Sequence, residues 1–167
     1  MENITRFIET KLRLKVNKNK SKVERPWRIK YLGFSFYQAK GKVEIRIHPK
    51  SIAKFKDKIR EITSRSNAMS METRYMRLKQ VIRGWVNYFK IANMEKIAQT
   101  LDKWIRRRIR MCYWKQWKKV KTKYRMLKAL GLEHWKAKEL ACSRKGCWRM
   151  AQVLNQIFSN KIIAKLR

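Results

Sequence analysis

From Pro49 onward the apolar residues of this chain fall into helical stripes, and the clearest of them dictates the architecture. Met71, Tyr75, Leu78, Ile82, Trp85 and Phe89 share one face, while Arg77, Gln80, Arg83, Asn87 and Lys90 fall opposite. Such a period of about 3.6 residues predicts an amphipathic helix that must bury its seam against other helices. Ser70 is the expected N-cap, after a loop from Arg65. Gly84 sits inside the helix at a cost in propensity, and a close helix–helix approach is the expected reason. Before it, Ile52, Phe55, Ile59 and Ile62 form a narrower stripe behind Pro49, which suits a first helical turn. After it, a third helix is predicted from about Glu95 to about Lys118. Steps of 100° put Ile97, Leu101, Ile105, Ile109 and Cys112 on one face and Lys103, Arg106, Arg107 and Arg110 on the other. Arg108 alone points into the apolar face, where a snorkelling stem is expected. Further on, Gly131 is a stop signal after Tyr124, Leu127 and Leu130. A basic turn spans Cys142 to Met150, and Met150, Val153, Leu154 and Ile157 outline a last helix.

These stripes must fold against a net charge of +34 on 167 residues. Self-repulsion of that size is costly to keep compact without a polyanion, so nucleic acid is the first partner to consider. Yet 44% of the residues are apolar, with seven Trp, six Tyr and six Phe, which a disordered basic tail would lack. No apolar run approaches the roughly twenty residues of a membrane span; the charge alone leaves an anionic membrane surface as the second candidate partner, and it is the motif order below that makes no membrane partner expected. Three cysteines, an odd number, point to a reducing compartment. The only two aspartates, Asp57 and Asp102, lie apart in basic stretches. Two-metal phosphoryl transfer needs clustered carboxylates, so no catalytic residue is assigned.

The first 48 residues read differently. Ile4, Phe7, Ile8 and Leu12 have helical spacing. After a polar stretch closed by Pro26, an alternating aromatic run from Ile29 to Tyr37 is followed by Val43, Ile45 and Ile47, a β-hairpin turning near Gly41. One hairpin is not a stable sheet, so its missing strands are expected from elsewhere.

The strongest candidate site is the basic face of the third helix. Lys103, Arg106, Arg107 and Arg110 neutralise phosphates there, and Trp114 and Trp117 join that face as stacking platforms if the helix persists. Their alternative is a second helical interface. Arg144, Lys145 and Arg149 add a basic turn. Cys142 and Cys147, with His134 upstream, are too few and too widely spaced for a structural zinc site, so no metal is expected.

The ordered motifs resemble those of a known family. Asn17, Lys20 and Ser21, then Tyr31-Leu32-Gly33-Phe34, then Ile82-Arg83-Gly84-Trp85-Val86-Asn87-Tyr88-Phe89, then Leu101-Asp102-Lys103-Trp104-Ile105 before Arg106, Arg107 and Arg108, are similar to the C-terminal half of group II intron reverse transcriptase/maturases. Lys123-Tyr124-Arg125, Leu130-Gly131 and Arg144 to Arg149 extend the resemblance over nearly the whole chain. It implies a mainly α fold in which residues 1–48 are a palm remnant, a helix plus a hairpin. Residues 49–118 are then a helical thumb and maturase-specific domain, and 119–167 a basic helical extension.

The resemblance also implies roles. Lys20 matches an end-of-palm lysine thought to assist the leaving pyrophosphate, and Tyr31, Leu32, Gly33 and Phe34 match a hairpin that grips the primer end. The fingers, most of the palm and the catalytic aspartate motif have no counterpart in this sequence, so the chain is expected to be a fragment. It would bring no cofactor of its own, Mg2+ being expected only in the full-length polymerase. The implied function is a non-catalytic module that binds group II intron RNA and assists its folding and splicing. The alternative is the C-terminal half of a split or truncated RNA-directed DNA polymerase. Template–primer duplex and an upstream reverse-transcriptase chain are the other implied partners.

Overall fold

A computed structural model describes residues 1–21, 23–39 and 41–157. The end of the expected C-terminal extension, 158–167, lies outside these. The fold is mainly α: α1 (Glu2–Lys11), a hairpin of β1 (Phe34–Ala39) and β2 (Lys42–Ile47), then α2 (Pro49–Ile62), α3 (Met71–Phe89), α4 (Glu95–Gln116), α5 (Val120–Ala129), α6 (His134–Cys142) and α7 (Cys147–Ile157). One hydrophobic cluster runs from Phe55 and Ile59 through Leu78, Ile105 and Trp114 to Leu127, Met150 and Leu154. The core therefore crosses residues 118 and 119, and the segments on either side share it. Ile59, Leu127 and Met150 are each 0% exposed, and each such burial contributes on the order of 2 kcal/mol.

The helix boundaries follow local chemistry. Ser70 Oγ accepts from Thr73 N at 3.1 Å and caps α3. Pro49 opens α2 behind His48, whose Nδ1 accepts from Lys50 N at 3.1 Å. That cap needs the neutral imidazole, and burial, then Lys30, Lys50 and Arg46, push the His48 pKa down. Gly131 ends α5 with φ +90°. Its N–H donates to Lys128 O at 2.9 Å and Leu132 N to Leu127 O at 3.2 Å, the paired bonds of a Schellman stop. The last helix begins at Cys147, earlier than the expected turn through Met150, because Gly146 O accepts from Arg149 N and Met150 N, both at 3.0 Å.

The hairpin differs from its prediction at both ends. β1 starts at Phe34, not Ile29. Tyr31 and Phe34 exchange backbone hydrogen bonds of 3.1 and 2.8 Å, with Leu32 at φ +48° and Gly33 at φ +85° between them. Two positive φ angles in succession make a type I′ turn. Support comes from helices as well as from pairing: Phe34 and Ile47 face each other in the register and pack with Phe89 and Ala92. Asn93 N also donates to Ile45 O at 3.0 Å. A two-stranded sheet held on a helix end can be stable where an isolated one is not. By contrast, α1 forms where its periodicity predicts but buries no residue, and Ile4, Phe7 and Leu12 are exposed.

Gly84 is not a helix–helix contact. An added Cβ there meets nothing within 4 Å, whereas at Gly33 it would come within 3.0 Å of Ser51 Oγ and 3.2 Å of Phe89 Cζ. Gly84→Ala is therefore expected to raise stability by about 1 kcal/mol through helix propensity. Gly33→Ala is expected to lower it, through both strain and contact. Urea unfolding of the two variants measures both signs.

Candidate nucleic-acid interface

α4 is the axis of the molecule, and its charged side chains have three different fates. Lys103, Arg106, Arg107 and Arg110 line a groove of about 490 Å³ against Ala151, Gln152 and Asn155 of α7. Lys103 is exposed at its rim. Arg106 Nε donates to Asp102 Oδ2 at 2.7 Å, the one carboxylate on the groove wall. Arg107 lies 4.0 Å from the Trp148 ring and donates to Trp148 O at 3.1 and 3.3 Å, which fixes its fork by cation–π and hydrogen-bond contact. Arg110, expected to be exposed with the others, is only 3% exposed. Burial lowers its pKa from the ordinary arginine value, Arg106 adds to this, and Asp102 opposes it.

Trp114 and Trp117 are not stacking platforms on this surface. They are 2% and 6% exposed and sit in the main cluster with Leu127, Ala137, Ala141 and Met150. The wheel placed them correctly relative to the first seam. What it lacked was the second layer, α5 to α7, which covers the opposite face of the last turns of α4. Lys123 Nζ lies 4.7 Å from the Trp114 ring. Arg144, Lys145 and Arg149 are exposed at the N-terminal end of α7. They flank Trp148 and do not line the groove with Lys103. The α7 amides Gln152 and Asn155 were missed in the sequence, where nothing marks them as neighbours of α4.

A third group of arginines binds backbone. Arg108 is half-buried: its Nε donates to Thr63 Oγ1 at 2.6 Å, and Nη2 to Thr63 O at 3.2 Å and Arg60 O at 3.4 Å. Its position on the apolar face thus serves the C-terminus of α2, where a cation meets carbonyls and the negative end of the helix dipole. Burial lowers its pKa, Cys112 opposes this, and Arg60 and Arg65 add to it. Arg74 of α3, 6% exposed, donates to the carbonyls of Ile62 at 2.7 Å, Ser64 and Met69 at 3.2 Å, and Asn67. Cys112 lies between the two guanidinium groups, at 3.8 Å from Arg74 Nη1, and burial pushes its thiol pKa up.

The motifs nearer the N-terminus are also placed. Asn17 Oδ1 accepts from Asn19 N at 3.1 Å and Lys20 N at 3.2 Å, an Asx turn that leaves Lys20 exposed. The Tyr31–Phe34 turn is bolted to α2 and α3. Ser51 Oγ donates to Gly33 O at 2.9 Å, and Tyr88 Oη to Leu32 O at 2.9 Å. Tyr31 and Leu32 stay exposed while Phe34 is buried. Two sequence motifs some fifty residues apart therefore form one structural unit. Among the described residues no group of three or more His, Cys, Asp or Glu side chains could hold a metal, and none of the helices is long and apolar enough to cross a membrane.

The fold and its groove define a class: a basic helical module whose central helix carries a cation-lined wall. Residues 52–135, about half of the chain, match the family described as the group II intron, maturase-specific domain. The chain belongs to that family, and so has a group II intron maturase-related role in a family related to reverse transcriptases. No curated protein matches it.

Replacing Arg74 with Met should destabilise the fold by roughly 3 kcal/mol, because it leaves several carbonyls of the α2–α3 connection without a donor. Lys is expected to recover only part of this, since a single ammonium lacks the fork. Chemical unfolding of the two variants reads the difference.

Proposed function

We propose that this chain binds structured group II intron RNA through the α4–α7 groove and favours the splicing-competent fold of that RNA, without itself catalysing phosphoryl transfer. The observation that carries the reading is the convergence of Lys103, Arg106 and Arg107, with the largely buried Arg110 behind them, on one groove wall that bears a single carboxylate. The net charge of +34 supplies the long-range attraction. Exposed Arg144, Lys145 and Arg149 extend the contact past Trp148. The mechanism is differential binding: a ligand that holds one RNA conformer more tightly shifts the population toward it. The chain acts in a reducing compartment, the bacterial cytoplasm or an organelle matrix or stroma, and brings no cofactor of its own.

A filter-binding titration against group II intron RNA over a range of salt tests this. The affinity should fall steeply with salt, and Lys103→Ala and Arg106→Ala should weaken it and reduce the salt slope by about one each. A flat dependence overturns the reading. Arg110→Ala would be uninformative here, because truncating a side chain that is 3% exposed would disturb the core.

A second reading is favoured by the N-terminal region. The apolar stripe of α1 is uncovered, and Val43, Tyr31 and Leu32 of the hairpin region are exposed. These surfaces fit an upstream reverse-transcriptase chain that would complete a polymerase, with Mg2+ and template–primer duplex held between the two. Primer extension should then appear on mixing the two chains, and its absence with a competent upstream half removes this reading.

A further inference from the structure

A second groove lies between α2 and α3, beside the Tyr31–Phe34 turn. Its volume is also about 490 Å³, but its chemistry is different. The α4–α7 groove is walled by cations and amides with no aromatic ring. This one has an aromatic wall, Trp85, Tyr88 and Phe55, and a rim of Lys30, Lys54 and Lys58, with no carboxylate lining it. Trp85 stacks on Phe55 at 4.4 Å between centroids and meets Phe89 at 5.0 Å. Its Nε1 is buried with no acceptor among the described residues, and the indole is held by packing against both apolar clusters. Tyr88 is 52% exposed, and its hydroxyl bond to Leu32 O holds the ring at the groove mouth. Of the rim lysines, Lys58 pairs with Glu61 at 2.9 Å, and both side chains are more than half exposed. An ion pair of that kind is worth little and is readily exchanged for a phosphate.

We propose that the α2–α3 groove receives a single unpaired nucleotide of the bound RNA, its base against Trp85 and Tyr88 and its flanking phosphates on Lys54, Lys58 and Lys30. The groove's size suits a small planar ligand. Flat rings stack on any base, and lysines close to them neutralise the backbone that leads the base in. A continuous duplex would present only phosphates and sugars here and leave the aromatic wall unused. Base stacking, which the sequence places at Trp114 and Trp117, thus moves to the residues of α3 that remain at the surface.

The inference rests on the RNA-binding reading above, and the test separates the two. An RNA hairpin with one bulged 2-aminopurine nucleotide is compared with its fully paired counterpart, using the whole chain. The bulged RNA should bind about tenfold more tightly, with 2-aminopurine emission quenched on binding. Lys54→Ala combined with Lys58→Ala, both exposed positions, should remove the preference and the quenching while the paired hairpin still binds. Lys103→Ala should weaken both RNAs equally and keep the preference. A bulged 4-thiouridine should cross-link to residues 81–89. Equal affinity for the two RNAs, or cross-links confined to residues 99–110, overturns this inference and leaves RNA binding standing. Failure to bind either RNA overturns both.

Discussion

The C-terminal end of α2 is where this structure is tied together. Its last carbonyls, with those of the loop to α3, face two guanidinium groups, Arg74 from α3 and Arg108 from α4. Thr63, 1% exposed, relays the contact by accepting from Arg108 and donating to Ile59 O at 2.6 Å. Three helices therefore meet at one point through hydrogen bonds, with the apolar cluster of Phe55, Ile59, Ile62 and Ile105 beside it. Burying a cation is costly unless its donors are satisfied. A helix C-terminus offers oriented carbonyls and partial negative charge without any acidic residue. In a chain with 45 Lys and Arg against 11 Asp and Glu, backbone carbonyls are the acceptors in good supply.

That anchoring lets the remaining charge stay outside. α4 uses one side for the seam with α2 and α3, and its later turns are also covered by α5 to α7. The cations of its earlier turns are left along the edge of α7 as a groove. At the other end of α3, the Tyr31–Phe34 turn depends on Tyr88, Phe89 and Ser51, so a rigid helix pair presents a left-handed turn whose Leu32 would be unfavourable alone. The two grooves sit on the same helical frame, one lined by cations and amides and the other by rings, which is what recognition of a folded nucleic acid asks for: phosphates for position, and unpaired bases for discrimination.

Much of this was legible beforehand. The stripes of α2, α3 and α4, the cap at Ser70, the helix start at Pro49, the stop at Gly131 and the turn at Gly41 all have local causes. Of the site, the grouping of Lys103, Arg106, Arg107 and Arg110 on one helix face was legible because 3.6 residues per turn guarantees it. The misreadings come from what lies far along the chain. Arg110, and the stacking reading of Trp114 and Trp117, looked solvent-facing because a helical wheel knows one interface; α4 has two, and the two tryptophans take the second-interface alternative. Arg108 looked anomalous because its partners, the carbonyls at the end of α2, lie some forty-five residues away. Gly84 looked like a packing glycine, yet it faces open space.

The sequence by itself determined the helical class, the positions of the elements, the sign of the chain's own charge and the family, since each depends on local periodicity, composition or motif order. Only the tertiary structure decided which cations are exposed, which aromatics are free to stack, and that the Tyr31–Phe34 turn and the end of α3 are one unit. These are matters of which second surface covers a helix face. Burial is set by contacts between segments distant along the chain, and no local pattern encodes them.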